Sequence, residues 1–249
     1  MSTKGNAILI IAVVALAGAS SVDAQRGQGA AAPPQTARAA AAIDITGTWV
    51  SVISEDWPQR MLPARKGEYT RIPLNAAARK VADTWDPARD ESAGEQCKGY
   101  TAAGITRMPG RLRISWQDDD TMKMELEAGS QTRLFHFRPG QPPAEPSWQG
   151  YSAAQWMYTR QPPRSGELRV ITNRLRPGYL RKNGVPYSAS TVFTEYWDMQ
   201  THSNGDQYLV NTNIVDDPVY LQEPMLTALH FKKERDGSKW DPTPCDARF

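Results

Sequence analysis

Apolar and polar residues alternate with period two along most of the chain, and this pattern is typical of strands with one buried face. In the stretch 111–117, Leu112, Ile114 and Trp116 point one way while arginine and polar side chains point the other. Similar runs predict about nine strands, at 46–54, 111–117, 121–127, 131–138, 148–159, 167–174, 191–199, 207–215 and 225–233. Short turn segments separate several of them, so the pattern predicts an antiparallel meander.

A helical period replaces the alternation in one place only. Near 74–85, Leu74, Ala78, Val81 and Trp85 recur at helical spacing, which predicts one short helix. Many meandering strands favour a closed barrel, because closure leaves no unpaired edge strand. We therefore expect an all-β fold, an antiparallel meander barrel with a single short helix.

The composition adds limits on size and on partners. The chain has 249 residues, of which 40% are hydrophobic and 22% charged, and this fits a single globular domain. Its 29 basic and 27 acidic residues show no electrostatic footprint for nucleic acid. We therefore expect no nucleic-acid partner.

The first 24 residues have the layout of a signal peptide. Lys4 precedes an apolar run from Ala7 to Val22, and Val22-Asp23-Ala24 is a small-x-small cleavage pattern. The alternative is a transmembrane anchor, but the uniformly apolar part is shorter than the roughly 20 residues that a span needs. We predict cleavage after Ala24, a periplasmic or extracellular location, and no stable membrane insertion afterwards.

Residues 25–42 contain no aromatic and no large aliphatic side chain. A segment of this composition buries little apolar surface, so we predict a disordered Ala/Pro-rich tether followed by one β-barrel domain over 43–249.

Two cysteines, Cys97 and Cys245, lie well inside the mature chain. In an oxidising compartment they are expected to form one disulfide, with two unpaired buried thiols as the alternative. A cross-link over so long a loop would contribute roughly 4–5 kcal/mol in the chain-entropy model.

Gly47-Thr48-Trp49 opens the first predicted strand and resembles the Gly-x-Trp signature of lipocalins and related calycin barrels. The resemblance implies that Trp49 plugs the closed end of a barrel.

A second resemblance covers most of the mature chain. Its segments, 94–140, 148–156, 178–188, 193–198 and 215–224, resemble a broad set of secreted bacterial hypothetical proteins of no established activity. The chain departs from that set where Gly150-Tyr151-Ser152 stands in place of a common histidine, and where Tyr196 rather than arginine follows Glu195. The resemblance therefore implies fold and location rather than chemistry.

Familiar catalytic and cofactor motifs are missing from the sequence. There is no Gly-x-Ser-x-Gly elbow, no His-Glu-x-x-His and no P-loop, and the one Gly-x-Gly lies in the predicted tether. The chain has only three histidines and two cysteines, so it offers few ligands for a transition-metal site. We expect neither a cofactor nor a metal.

The leading functional hypothesis is that the barrel binds a small apolar or aromatic molecule. The expected wall consists of Trp116, Met122, Met124, Phe135, Trp148, Trp156, Phe193 and Trp197. The competing interpretation is that these side chains form an ordinary core.

The alternative hypothesis is a cofactor-independent lyase, isomerase or hydratase. Glu195 and His136 would transfer the proton, and Arg133 would stabilise the developing negative charge. Simpler interpretations compete with it. In one, Glu195 points inward and is held by an arginine such as Arg133. In another, Glu195 points outward, with Val192, Thr194 and Tyr196 inside. The simpler interpretation of His136 is a strand histidine making one hydrogen bond. A third function class is an envelope interaction protein. The sequence leaves the ligand, the reaction and the oligomeric state open.

Overall fold

Strands dominate the computed structural model, which describes residues 35–62, 64–138, 140–159 and 165–248. The predicted signal peptide and residues 25–34 lie outside these ranges. The strands are β1 (Gly47–Val52), β2 (Arg111–Trp116), β3 (Thr121–Leu126), β4 (Gln131–His136), β5 (Tyr151–Tyr158), β6 (Gly166–Asn173), β7 (Gly178–Arg181), β8 (Val185–Tyr187), β9 (Val192–Thr201), β10 (Gln207–Asp216) and β11 (Met225–Lys233).

All strands except β7 and β8 form one closed barrel, so the predicted fold class is confirmed. Its order around the ring is β1-β2-β3-β4-β5-β6-β9-β10-β11, and β11 pairs with β1 to close it. The nine barrel strands are the nine that the alternation predicts. One neighbouring pair departs from the antiparallel meander: β4 and β5 run parallel, paired at Phe135–Ser152 and His136–Ala153. The long connection 137–150 returns the chain to the end from which β4 started.

The helix near 74–85 is present but shorter, as α2 (Ala76–Ala82), and Asn75 caps it by accepting a hydrogen bond from the Ala78 N–H. Further short helices were not predicted, because four to six residues are too few to show a helical period. They are α1 (Trp57–Met61), α3 (Pro87–Ser92) and α4 (Ala102–Ile105), with 3₁₀ turns at Gln96–Gly99 and Ala128–Ser130.

The two ends of the barrel differ. The four helices, the β7–β8 hairpin and the connection 217–224 gather where β1 ends, and we call this the helical end. The turns 117–120 and 202–206 lie at the opposite end, together with residues 35–46. None of the helices in the described ranges is long and apolar enough to cross a membrane.

Residues 35–42 contact the barrel, which differs from the predicted tether over this stretch. The Arg38 N–H donates to the Asp119 carbonyl at 2.9 Å, and the Trp156 indole donates to the Ala37 carbonyl at 2.9 Å. Ala40 and Ala42 pack against the barrel core. The small side chain of Ala37 allows its carbonyl to approach the Trp156 indole closely. The folded unit therefore includes residues from Gln35 onward.

The barrel interior is filled mainly by apolar side chains. Trp49 is fully buried near the start of β1, and its indole N–H donates to the Ile45 carbonyl at 2.9 Å. A second apolar cluster lies under the helical end. The predicted disulfide is confirmed: Cys97 and Cys245 are bonded and attach the C-terminal segment to the turn after α3.

Candidate functional site

Seven of the eight predicted ligand-wall residues, all except Trp148, lie in or beside the hydrophobic core. Six of them are buried, and Trp116 and Trp148 are partly exposed. Trp116 and Trp156 both pack on Phe137. The centroid of the Phe137 ring lies 5.4 Å from that of Trp116 and 5.3 Å from that of Trp156. Trp148 lies apart from them, under the guanidinium of Arg176. The structure thus places these side chains in packing contacts.

Arg133 and Glu195 form an ion pair inside the barrel. Both are buried, and the two Arg133 Nη atoms donate to the two Glu195 carboxylate oxygens at 3.0 and 2.5 Å. Arg133 also donates to the Thr172 hydroxyl at 3.2 Å. Of the interpretations of Glu195 left open by the sequence, the structure has the inward carboxylate held by Arg133.

His136 lies on the other side of the barrel wall. Its ring stacks on Tyr151 with centroids 5.0 Å apart, and the side chain is half-buried on the outer face of β4. Burial lowers the pKa of His136, and the nearby charge of Asp118 acts in the opposite direction. Glu195 and His136 therefore do not face one common space, and the structure does not bring the predicted acid–base pair together.

A second histidine contacts a hydroxyl and a carboxylate at the helical end. The Ser54 hydroxyl lies 3.0 Å from Nδ1 of His230, and a Glu55 oxygen lies 3.3 Å from the same nitrogen. In a Ser-His-acid triad the hydroxyl and the acid contact opposite ring nitrogens. Since both contacts here converge on Nδ1, this cluster does not have triad geometry.

A layer of polar groups lies in the barrel interior beside the ion pair. Asn211 is fully buried, and neither atom of its amide has a hydrogen-bond partner within the described residues. The same holds for the Trp197 indole nitrogen and for Nε of Arg133. Asn213 reaches Thr106 at the end of α4 through a 3.4 Å contact. Buried groups of this kind are usually paired by ordered water or by a bound polar molecule.

A cavity of about 220 Å³ lies at the helical end, and we call it the end pocket. Its wall comes from segments far apart in the chain: Arg60 on α1, Arg107 just after α4, and Arg181 on β7, with Thr243 from the C-terminal segment. Gly104 brings α4 directly onto β7, because a Cβ there would lie 3.0 Å from the Tyr179 carbonyl oxygen. This close approach holds the two segments that carry Arg107 and Arg181.

Two of the pocket arginines are anchored by acidic residues. Arg60 pairs with Glu55 at 2.9 Å, and Arg107 pairs with Asp56 at 3.2 Å. One Nη atom of each guanidinium is buried and has no partner among the described residues. Burial lowers the pKa of Arg60, and the charge of Glu55 partly restores it. Each of these two pocket arginines therefore retains one buried donor without a partner in the described chain.

Arg181 is also buried, but unlike Arg60 and Arg107 it is held by a backbone carbonyl and not by a carboxylate of the described chain. One Nη donates to the Thr70 carbonyl at 3.1 Å. Among the residues that the structure describes, no carboxylate lies within 4.0 Å of its guanidinium. Burial, and secondarily the charge of Arg107, lower the pKa of Arg181 to about 10, while the more distant charge of Asp56 acts in the opposite direction. Arg181 therefore remains protonated at neutral pH. Lys182 adds a further cation to the wall, and no Asp or Glu of the described chain lines the cavity.

Sequence reasoning missed this site because nothing in the local pattern marks it. Arg60, Arg107 and Arg181 lie in three short elements and belong to no motif. The only available signal is that Arg181 falls within the stretch 178–188 that carries the resemblance to secreted proteins.

Comparison of the chain with protein-family models, with curated proteins and with solved structures finds no match. The resemblances to lipocalins and to secreted hypothetical proteins stay predictions. Within the described ranges there is no group of three or more His, Cys, Asp or Glu side chains placed to hold a metal ion. The end pocket is therefore the feature of the described chain from which we infer a function.

Proposed function

We propose that this protein binds a small organic anion in the end pocket. The observation that carries the proposal is the buried guanidinium of Arg181, which has no carboxylate partner in the described chain. A buried charge that no carboxylate contacts directly is costly, and a bound anion would lower that cost. The guanidinium groups of Arg60 and Arg107 in the same wall add positive charge to the site.

The size and lining of the pocket suggest which anions fit. Its volume of about 220 Å³ lies below the roughly 300–1,000 Å³ typical of pockets for drug-sized ligands. Tyr100, Met108 and Leu180 supply apolar wall beside the cations. We therefore expect a carboxylate or phosphate group on a short apolar or aromatic body, with the planar guanidinium binding two of its oxygens.

This proposal keeps small-molecule binding by a β-barrel protein and moves the site from the interior to the helical end. Binding of an apolar molecule among Phe193, Trp197 and their neighbours stays a prediction. The acid–base alternative has less support, since Glu195 is engaged by Arg133 and His136 faces outward.

Isothermal titration calorimetry with benzoate, octanoate and phenyl phosphate tests the proposal. We expect one site, and at least roughly tenfold weaker binding of benzamide, the neutral analogue of benzoate, because it lacks the charge that Arg181 requires. The Arg181→Met variant should lose benzoate affinity by a similar factor. Arg138→Met is the matched control, because Arg138 pairs with Asp120 at the opposite end of the barrel.

Trp197→Phe separates the two possible locations. A ligand in the end pocket should keep its affinity in this variant, whereas a ligand inside the barrel should lose it. The proposal is overturned if none of the three anions binds at millimolar concentration, or if benzoate and benzamide bind equally. Loss of affinity in Trp197→Phe but not in Arg181→Met would favour the interior.

A further inference from the structure

Three large apolar side chains are exposed together on and just after α1. Trp57, Met61 and Leu62 are 60%, 56% and 61% exposed. Trp57 and Met61 are four residues apart in a helix and so share one face, and Leu62 follows directly. We call these three residues the α1 patch. Single exposed apolar residues are ordinary, whereas a cluster of large ones indicates an interaction surface.

The α1 patch adjoins the end pocket. Arg60 lies between Trp57 and Met61 in the chain, but it is buried and lines the pocket with Gln59. The short helix therefore presents its apolar side chains outward and its arginine inward. Whatever covers the patch would also lie beside the pocket.

The surroundings of the patch are positively charged. Residues 55–71 and the pocket wall carry seven basic side chains, namely Arg60, Arg65, Lys66, Arg71, Arg107, Arg181 and Lys182. The three acidic side chains in the same set are Glu55, Asp56 and Glu68. The whole chain has a net charge of only +2, so this set of residues holds a local excess of positive charge, and Arg65, Lys66 and Arg71 are its exposed cations.

We propose that the α1 patch docks onto an anionic phospholipid surface. Tryptophan and leucine enter the interfacial region of a bilayer, and neighbouring lysine and arginine bind anionic headgroups. This is peripheral binding, with α1 lying in the plane of the interface. It would hold the mouth of the end pocket against the lipid layer.

A second copy of the chain is the other obvious occupant, and the charge argues against it. A two-fold interface brings the same surface of each copy together. Two α1 patches facing each other would therefore place both excesses of positive charge side by side, which is unfavourable. An anionic lipid surface has the complementary charge.

Hydrogen–deuterium exchange of the full chain with lipid vesicles tests the docking at the level of the segment. With vesicles containing phosphatidylglycerol, we expect the amides of residues 57–62 to exchange several-fold more slowly. With pure phosphatidylcholine vesicles, and at the connection 217–224, we expect no change. Because the readout is local, binding through the predicted signal peptide does not produce this result.

Variants make the test independent of the exchange pattern. The Trp57→Ser/Leu62→Ser double variant should lose the protection, and its partitioning onto the anionic vesicles in flotation should fall by roughly tenfold or more. Val219→Ser/Leu226→Ser is the control, because these residues are also exposed, at 45% and 65%, but lie outside α1. The proposal is overturned if both lipids protect residues 57–62 equally, or if exchange there does not change. It is also overturned if the control variant loses as much vesicle binding as Trp57→Ser/Leu62→Ser, or if the protein forms a dimer that Trp57→Ser/Leu62→Ser abolishes.

Discussion

Two buried arginines, Arg133 and Arg181, differ in the partner that each one has. The positive charge of Arg133 is balanced by Glu195, whose two carboxylate oxygens both accept hydrogen bonds from it in the barrel interior. Arg181 donates to a backbone carbonyl and has no carboxylate partner among the described residues. The charge of Arg133 is balanced within the chain, whereas the arrangement at Arg181 is suited to receive an anion. This difference is why we place binding at Arg181 and a structural role at Arg133.

The ion pair predicts a specific stability effect. Replacing Glu195 by Gln leaves the Arg133 charge buried without compensation, and breaking a buried pair in this way costs about 3–5 kcal/mol. We expect a loss of that size in the free energy of unfolding, measured by urea denaturation. A screen for enzyme activity of Glu195→Gln must therefore be run where the variant is still folded.

The matched control for Glu195→Gln is the double variant Arg133→Met/Glu195→Leu, which removes both charges and keeps apolar volume. Because no buried charge is then left uncompensated, its stability loss should be smaller than that of Glu195→Gln. A Glu195→Gln loss below about 1 kcal/mol would mean that the interior solvates the arginine by other means.

At the scale of elements, the β7–β8 hairpin positions the wall of the end pocket. It carries Leu180, Arg181 and Lys182, and its turn at Gly184 packs against Trp85 in the segment after α2. Gly184 has a φ of +83°, and a Cβ there would lie 2.2 Å from the Cβ of Trp85. The turn therefore needs glycine both for its backbone conformation and for space.

Substituting Gly184 by Ala should destabilise the protein more than the same change at Gly205. Gly205 has nearly the same φ, +85°, but no atom of the described chain lies within 4 Å of the point that an added Cβ would occupy. Gly205→Ala should therefore cost only the backbone strain, about 1–2 kcal/mol, while Gly184→Ala adds a clash of about 1–3 kcal/mol. Urea denaturation of the two variants measures the difference. Equal losses would show that Trp85 moves aside freely.

The sequence predicts strands and helices unequally well for a physical reason. A strand such as β6 buries every second residue against the barrel interior, so its alternation is visible locally. The helices at the helical end span four to seven residues, and only α2 shows a helical period. Tertiary contacts, such as Gly104 against the Tyr179 carbonyl, hold α4 in place.

At the scale of the whole molecule, the C-terminal segment ties the body together. The disulfide joins Cys97 to Cys245 across a sequence separation of 148 residues. Both the Asp241 and Thr243 N–H groups donate to Glu127, the first to its side chain at 2.8 Å and the second to its carbonyl at 3.0 Å. Because Thr243 lines the end pocket, the disulfide also holds part of the binding wall.

Removal of the disulfide should weaken both stability and binding. In the chain-entropy model, Cys97→Ala/Cys245→Ala loses roughly 4–5 kcal/mol of unfolding free energy, measured by urea denaturation in the absence of reductant. Benzoate affinity should fall as well, since the segment that carries Thr243 is less restrained. A variant with wild-type stability would show that the Glu127 hydrogen bonds are sufficient to hold the segment.

The amino-acid sequence alone determined the barrel strands, the faces that residues share along each strand, and the pairing of the only two cysteines. These follow from short-range periodicity and from chemistry that needs no knowledge of packing. Only the tertiary structure decided that residues 35–42 lie on the barrel. It also decided that Glu195 points inward to Arg133 while His136 points outward. It alone shows that Arg181 is buried with no carboxylate of the described chain in direct contact. Each of these depends on which distant segments meet, and an alternating pattern is the same whichever face turns inward.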